Sequence, residues 1–214
     1  MAKRFNRVRL PVYLITDRVI SGLSHVQICR LAMKSGIRII QLREKLMSKK
    51  ELHREALALR SLTRRHRAIF IVNDYIDIAL CADADGVHLG QEDMPLEEAR
   101  KIMGKKKIIG ISTHSLKQAF AAEKGGADYI GFGPMFHTSS KDAGSPKGLN
   151  ALRELRKHIK IPIVAIGGIA SQNILSVLDA GADAAAVMSA VLKGDIKENT
   201  EKLLRAVNIS RNKG

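Results

Sequence analysis

Short apolar runs of β-forming residues recur along this chain at intervals of roughly 20 to 30 residues, and a segment with helical patterning follows each one. The runs fall near residues 12–17, 39–45, 69–74, 86–89, 108–113, 129–133, 162–168 and 184–189. Eight strand-then-helix units within 214 residues predict a (β/α)8 barrel, the TIM barrel, with every strand parallel. A doubly wound open sheet is the competing architecture, but no GxGxxG follows the first run and eight regular units favour closure. The whole chain, 1–214, reads as one domain with a short basic lead over 1–11 and a polar tail over 208–214.

Helix punctuation supports the units. Ser48 precedes a periodic stretch through Leu52, Ala56, Leu59 and Leu62, and Glu51 completes a capping box. Pro95 suits a first helical turn, Ser115 can cap a helix that stops at Gly125 and Gly126, and Ser171 is expected to open a helix closed by Gly181. The phrases "GGADYIGFG" and "AGADAAAVM" echo each other, each passing from a helix-ending glycine through Ala-Asp into an apolar strand.

Hydrophobic content of 45% and charged content of 27% fit a folded globular chain. Cys29 and Cys81 show no CxxC spacing and are expected to be buried thiols in a reducing compartment. The basic start passes into strand-like sequence without a signal-peptide pattern, and no apolar run approaches a membrane span, so the expected location is cytoplasmic. A net charge of +15 raises nucleic acid as a partner. The basic runs 64–67, 105–107 and 157–160, however, fall at helix ends or just before strands, where cations favour the helix dipole. Only 4% of residues are aromatic and tryptophan is absent, which leaves no stacking platform. Nonspecific adhesion to polyanions at low salt is the expectation instead.

In such barrels the chemistry lies at the C-terminal ends of the strands. In the run "IIQLREK" alternation puts Gln41, Arg43 and Lys45 on one face, so an amide and two cations point inward at the mouth. Asp74 and Asp93 end the third and fourth units, and two carboxylates with open positions suit Mg2+. The bland reading of Asp93 is a cap for the helix near Pro95. Opposite them, "AIGGI" and "VMSAV" place small residues where backbone N–H groups can approach a phosphate. The longest irregular stretch, 133–148, has the composition of a lid and supplies Thr138, Ser140 and Lys141.

No nucleophile with a paired base is apparent. His25, His53, His66 and His158 read as surface residues, His88 as packed, and neither His114 nor His137 has an identifiable carboxylate partner. This inventory suits departure of a diphosphate, where catalysis is largely electrostatic.

The motifs "QLREK", "IVND", "GVHLGQED", "GISTHS", "DYIGFGPMF" followed by "TSSK", "PIVAIGGI" and "VMSAV" run from Val12 to about Leu192. In that order and spacing the chain resembles the thiamine phosphate synthase family. The resemblance implies a transferase that joins hydroxymethylpyrimidine diphosphate to hydroxyethylthiazole phosphate with Mg2+ as cofactor. It implies that Gln41 recognises the pyrimidine and that Arg43, Lys45, Asn73 and Lys141 hold the diphosphate. Asp74 and Asp93 match the metal ligands, and Ser112 matches a serine near the reacting pyrimidine. Thr138, Ser140, Gly168 and Ser189 match contacts to the thiazole phosphate, and Met188 lies beside them. Ser112, Lys141, Arg43 and Lys45 are the catalytic candidates. The family usually has proline where His137 stands and threonine where Ser140 stands. A related thiazole tautomerase shares the fold, but its characteristic histidine would fall at Pro134, and the intact "QLREK", "ND" and "QED" argue against it. The partners implied are small-molecule substrates, with no membrane or specific nucleic acid, and a homo-oligomer is compatible with the sequence.

Overall fold

The computed structural model describes residues 11–138 and 144–211. Eight parallel strands close into a barrel in sequence order: β1 (Val12–Ile15), β2 (Ile39–Leu42), β3 (Ile69–Asn73), β4 (Gly86–Leu89), β5 (Ile108–Thr113), β6 (Tyr129–Phe132), β7 (Ile163–Ile166) and β8 (Ala184–Val187). Closure is made where Val12, Tyr13 and Leu14 pair with Ala185, Ala186 and Val187. The helices are α1 (Arg18–Ser21), α2 (His25–Lys34), α3 (Lys49–Arg65), α4 (Ile76–Cys81), α5 (Leu96–Met103), α6 (Leu116–Lys124), α7 (Gly148–His158), α8 (Ile174–Asp179), α9 (Ser189–Leu192) and α10 (Ile196–Arg211). The predicted TIM barrel is thus the observed fold.

Strand alternation divides the core in two. Tyr13, Ile15, Ile39, Ile69, Ile71, Ile108, Tyr129, Val164, Ala184 and Ala186 fill the barrel, while Leu14, Ile40, Leu42, Phe70, Val87 and Ile130 pack in the larger cluster with helix residues. Toward the strand ends the inward positions mix polar residues, Gln41, Asn73, His88 and Ser112, with apolar ones, Ile15, Ile166 and Ala186, and together they line a cavity at the mouth.

The helix starts follow the sequence in part. Ser48 and Glu51 form the capping box of α3, and Ser115 caps α6 through the Gln118 N–H. The helix expected from Ser171 begins instead at Ile174. Asn173 explains the difference: its Oδ1 accepts the Ala170 N–H and its Nδ2 donates to the Gly168 carbonyl, which holds 171–173 as a turn. Cys29 is buried, but Cys81 is exposed, contrary to expectation. Ala79 on α4 and Ala82, which caps its C-terminus, are both buried three residues apart, which turns Cys81 to solvent.

The echoed Ala-Asp phrases have a structural cause at the opposite end of the barrel. Asp128 Oδ2 accepts the Ile109 N–H of β5 at 2.8 Å and pairs with Arg100 of α5 at 2.6 Å. Asp183 does the same with the Ile163 N–H of β7 and Arg156 of α7, and Asp85 with the Phe70 N–H of β3 and Arg60 of α3. Each aspartate precedes an even-numbered strand and stitches it to the odd strand before it and to a helix. Among the described residues, no helix is long and apolar enough to cross a membrane.

Candidate active site

A cavity of ≈ 300 Å3 opens at the C-terminal ends of the strands. Of the predicted site residues it brings together Gln41, Arg43, Asn73, Ser112, Thr138, Gly168, Met188 and Ser189. Ser140 and Lys141 lie outside the described residues. Lys45, Asp74 and Asp93 do not line the cavity, yet they form one electrostatic group with Arg43 beside it.

Asp74 ends β3 with a left-handed backbone, φ 64°, a conformation aspartate tolerates better than most residues. Its N–H donates to the His88 carbonyl of β4, so the strand pairing carries the turn. The carboxyl is pushed up to about 6, first by burial and then by a hydrogen bond and like charge from Asp93, while Lys45 and Arg43 pull it down. Two carboxylates in contact beside two cations are poised for a divalent ion that would relieve their repulsion. Asp93 is not a helix cap: its Oδ2 accepts the Gly90 N–H at 2.6 Å, and α5 starts at Leu96 without a side-chain cap.

Arg43 is aimed by Asp17, whose Oδ2 accepts from Nη1 at 3.2 Å while Oδ1 caps α1 through the Ile20 N–H. A guanidinium has further donors, so the pairing orients the group without exhausting it. Lys45 is exposed, and its backbone is held from below by Glu44. Glu44 Oε1 accepts the N–H groups of Lys45 and Leu46 at 2.8 and 2.7 Å, and Oε2 accepts from Arg18 Nε and faces His25 Nε2 at 3.1 Å. Burial alone would raise the Glu44 carboxyl, but the Leu46 N–H, Arg18 and His25 outweigh it and hold the group at about 2. His25, expected at the surface, is fully buried and tied through Nδ1 to Thr16 Oγ1 at 2.8 Å. A histidine just after an N-cap serine looks exposed in sequence, but here it fills the space under the loop that carries the two cations.

On the far side, Gly167 and Gly168 have φ of 98° and 65° and pack against the 134–137 segment. A Cβ on Gly168 would lie 2.6 Å from the His137 carbonyl oxygen, and one on Gly167 2.5 Å from Pro134 Cβ. Ser189 starts α9 one residue after β8 and lines the same cavity beside Met188.

His88 points into the barrel, where Nε2 lies 2.8 Å from Ser112 Oγ and Nδ1 lies 2.9 Å from Tyr129 Oη. A serine next to a histidine therefore exists, although the sequence offered no such pair. The imidazole is a poor general base, because burial pushes it down to about 4 and the group behind it is a tyrosine hydroxyl rather than a carboxylate. Alternation from Val87, which faces outward, was the signal that could have placed His88 at the cavity.

The comparisons with known proteins agree with this geometry. The sequence model of thiamine monophosphate synthase matches residues 12–191. A thiamine-phosphate synthase of Chloroflexus aurantiacus is 48% identical over 198 residues, covering 92% of this chain and 91% of its relative. One of Methanospirillum hungatei is 49% identical over 183 residues, covering 85% and 89%. The solved thiamine phosphate pyrophosphorylase of Pyrococcus furiosus superposes with a TM-score of 0.88 at 44% identity, covering 95% of this chain and 98% of that one. A match that spans every strand, and with them both sides of the cavity, leaves one assignment: the chain belongs to the thiamine-phosphate synthase family, enzymes of the transferase class.

Proposed function

We propose that the cavity joins hydroxymethylpyrimidine diphosphate to hydroxyethylthiazole phosphate, releasing diphosphate and forming thiamine phosphate. The observation that carries the reading is that two separate sets of groups suited to anions stand at the mouth. Arg43 and Lys45 stand with the Asp74–Asp93 pair on one side, and Gly168 and Ser189 stand on the other.

The donor set suits Mg2+. Among the described residues no group of three or more His, Cys, Asp or Glu side chains gathers to hold a metal alone. Two carboxylates are what this ion typically takes when water and phosphate oxygens complete its shell, so Asp74 and Asp93 would hold it. When bound, the ion supplies charge neutralisation to a leaving diphosphate. Around it, Arg43 and Lys45 stabilise the negative charge that builds up as the bond between the pyrimidine methylene carbon and the diphosphate oxygen breaks. Gln41 and Ser112 orient the pyrimidine, and Thr138 and Ser189, with Ser140 outside the described residues, position the thiazole phosphate so that the ring nitrogen meets the electron-poor methylene carbon. Lys141, also outside the described residues, completes the diphosphate side in this reading. Asn73, inward at the end of β3, offers an amide to the same group. The weak basicity of His88 supports a route without a serine nucleophile.

Purified protein incubated with Mg2+ and both substrates, with thiamine phosphate read as its fluorescent thiochrome, tests the proposal. Product that depends on Mg2+ and on both substrates is expected. Absence of product while both ligands bind would overturn the assigned reaction.

A further inference from the structure

A continuous line of hydrogen bonds crosses the barrel beneath the cavity and touches five strands. Gln41 Nε2 on β2 donates to Tyr13 Oη on β1 at 2.8 Å, and Tyr13 Oη lies 2.9 Å from Tyr129 Oη on β6. Tyr129 Oη lies 2.9 Å from His88 Nδ1 on β4, and His88 Nε2 lies 2.8 Å from Ser112 Oγ on β5. Gln41 and Ser112, the two ends, line the cavity. Tyr13 and Tyr129 do not, and they are only 1% and 0% exposed.

The barrel makes room for this line. A Cβ on Gly110 would lie 2.1 Å from Tyr129 Cζ, and one on Gly131 would lie 3.1 Å from His88 Cε1. Glycine weakens a strand interior, and its presence there often marks the close approach of another group. Two glycines facing these two rings are the space the line occupies.

Each hydroxyl has one proton to give and a neutral imidazole has one N–H, so the direction of such a line is set as a unit. We propose that it is a directed relay that fixes Ser112 as a hydrogen-bond donor to the bound pyrimidine, a role that rests on the reading of Gln41 and Ser112 given above. Gln41 donates a hydrogen bond to Tyr13 Oη, Tyr13 donates to Tyr129 Oη, and Tyr129 donates to His88 Nδ1. His88 is then the Nε2–H tautomer and donates to Ser112 Oγ. Having accepted from His88, Ser112 turns its own proton to the cavity. Gln41 keeps its carbonyl oxygen and one N–H for the ligand.

An amino-substituted pyrimidine has ring nitrogens that accept and an amino group that donates, which matches these three presented groups. The relay also couples the two ends. A ligand that forced the Gln41 amide to turn over would reverse the line and leave Ser112 without a proton to offer. Tyr13 and Tyr129 are therefore positioning residues, and His88 is the link that orders Ser112.

The test uses full-length protein labelled with 15N-histidine and needs no ligand for its first arm. His88, identified by the signals lost in His88→Gln, is expected as the Nε2–H tautomer. Tyr13→Phe keeps the ring and removes the hydroxyl between Gln41 and Tyr129, so His88 should become a mixture of tautomers. In the coupling assay the same variant should raise the Michaelis constant for the pyrimidine diphosphate about tenfold and leave that for the thiazole phosphate within about twofold. Tyr129→Phe should do the same, and if it fails to fold, Tyr13→Phe decides alone. An Nδ1–H tautomer in the unsubstituted protein, an unchanged tautomer in Tyr13→Phe, or equal changes in both Michaelis constants would overturn the relay. If the tautomer behaves as expected but the unsubstituted protein makes no thiamine phosphate, the functional reading fails and the relay loses its role in pyrimidine recognition.

Discussion

Asp93 and Ser189 stand on opposite sides of the cavity, so their removal should leave different kinetic signatures. Asp93→Ala takes one carboxylate from the pair beside Arg43 and Lys45 and should lower turnover about 100-fold, partly recovered by excess Mg2+. Ser189→Ala should raise the Michaelis constant for the thiazole phosphate about tenfold with turnover nearly unchanged. Steady-state kinetics with each substrate varied in turn checks both, and equal effects from the two variants would refute the division of the mouth. Glu44 makes a different prediction because it works from beneath. Its folded value of about 2 lies below the ordinary 4.5, so its contribution is full above about pH 4.5 and disappears as the pH falls toward 2. The contribution is on the order of 3 kcal/mol. His25, held below its ordinary 6.5 chiefly by burial, has the same sign, because the unfolded chain takes up that proton first as the pH falls. Glu44→Gln should therefore lower the melting temperature at pH 7 and flatten its fall on acidification; a slope equal to that of the parent would contradict the account.

The aspartate that opens every second strand from β4 onward is the element that repeats. Two copies are legible as "GGADYIGFG" and "AGADAAAVM", and the third, Ala84-Asp85, hides in "CADADGVHL" because no glycine announces it. What cannot be read in one dimension is the partner: Arg60, Arg100 and Arg156 lie 25 to 28 residues away from their aspartates. The three clamps occupy the end of the barrel away from the cavity, so they bear on stability rather than chemistry. Asp128→Ala leaves the Ile109 N–H and Arg100 without this acceptor and should cost about 2–3 kcal/mol in denaturant unfolding. Lys101→Ala, on the same helix but paired with exposed glutamates, should cost under about 1 kcal/mol. Turnover per folded molecule should be unchanged in both, and equal costs would mean that the clamp is no more than a surface ion pair.

Taken as a whole, the barrel separates two uses of positive charge, and the sequence exposes one better than the other. Alternation within "IIQLREK" was enough to aim Gln41 and Arg43 inward, because parity in a strand is local. Parity could not show that Tyr13, Tyr129 and His88 meet, since they come from β1, β6 and β4 and touch only after closure, nor that Glu44 and His25 share a buried site under the loop. The net charge of +15 was more legible, because the basic runs 64–67, 105–107 and 157–160 fall at helix ends or just before strands in the sequence itself. Lys105 and Lys106 are exposed just before β5, at the barrel end opposite the cavity, whereas Lys45 stands beside the carboxylate pair at the mouth. Charge at the far end attracts polyanions over the length that salt permits, roughly 10 Å at 0.1 M, and cannot reach the reacting atoms across the barrel. Lys105→Ala combined with Lys106→Ala should elute earlier from heparin in a salt gradient and leave both Michaelis constants and turnover unaltered. Lys45→Ala should shift heparin elution less and raise the Michaelis constant for the pyrimidine diphosphate about tenfold or more, having removed a cation from a phosphate rather than from solvent. A large kinetic loss in the Lys105 and Lys106 variant would place the chemistry at the other end of the barrel.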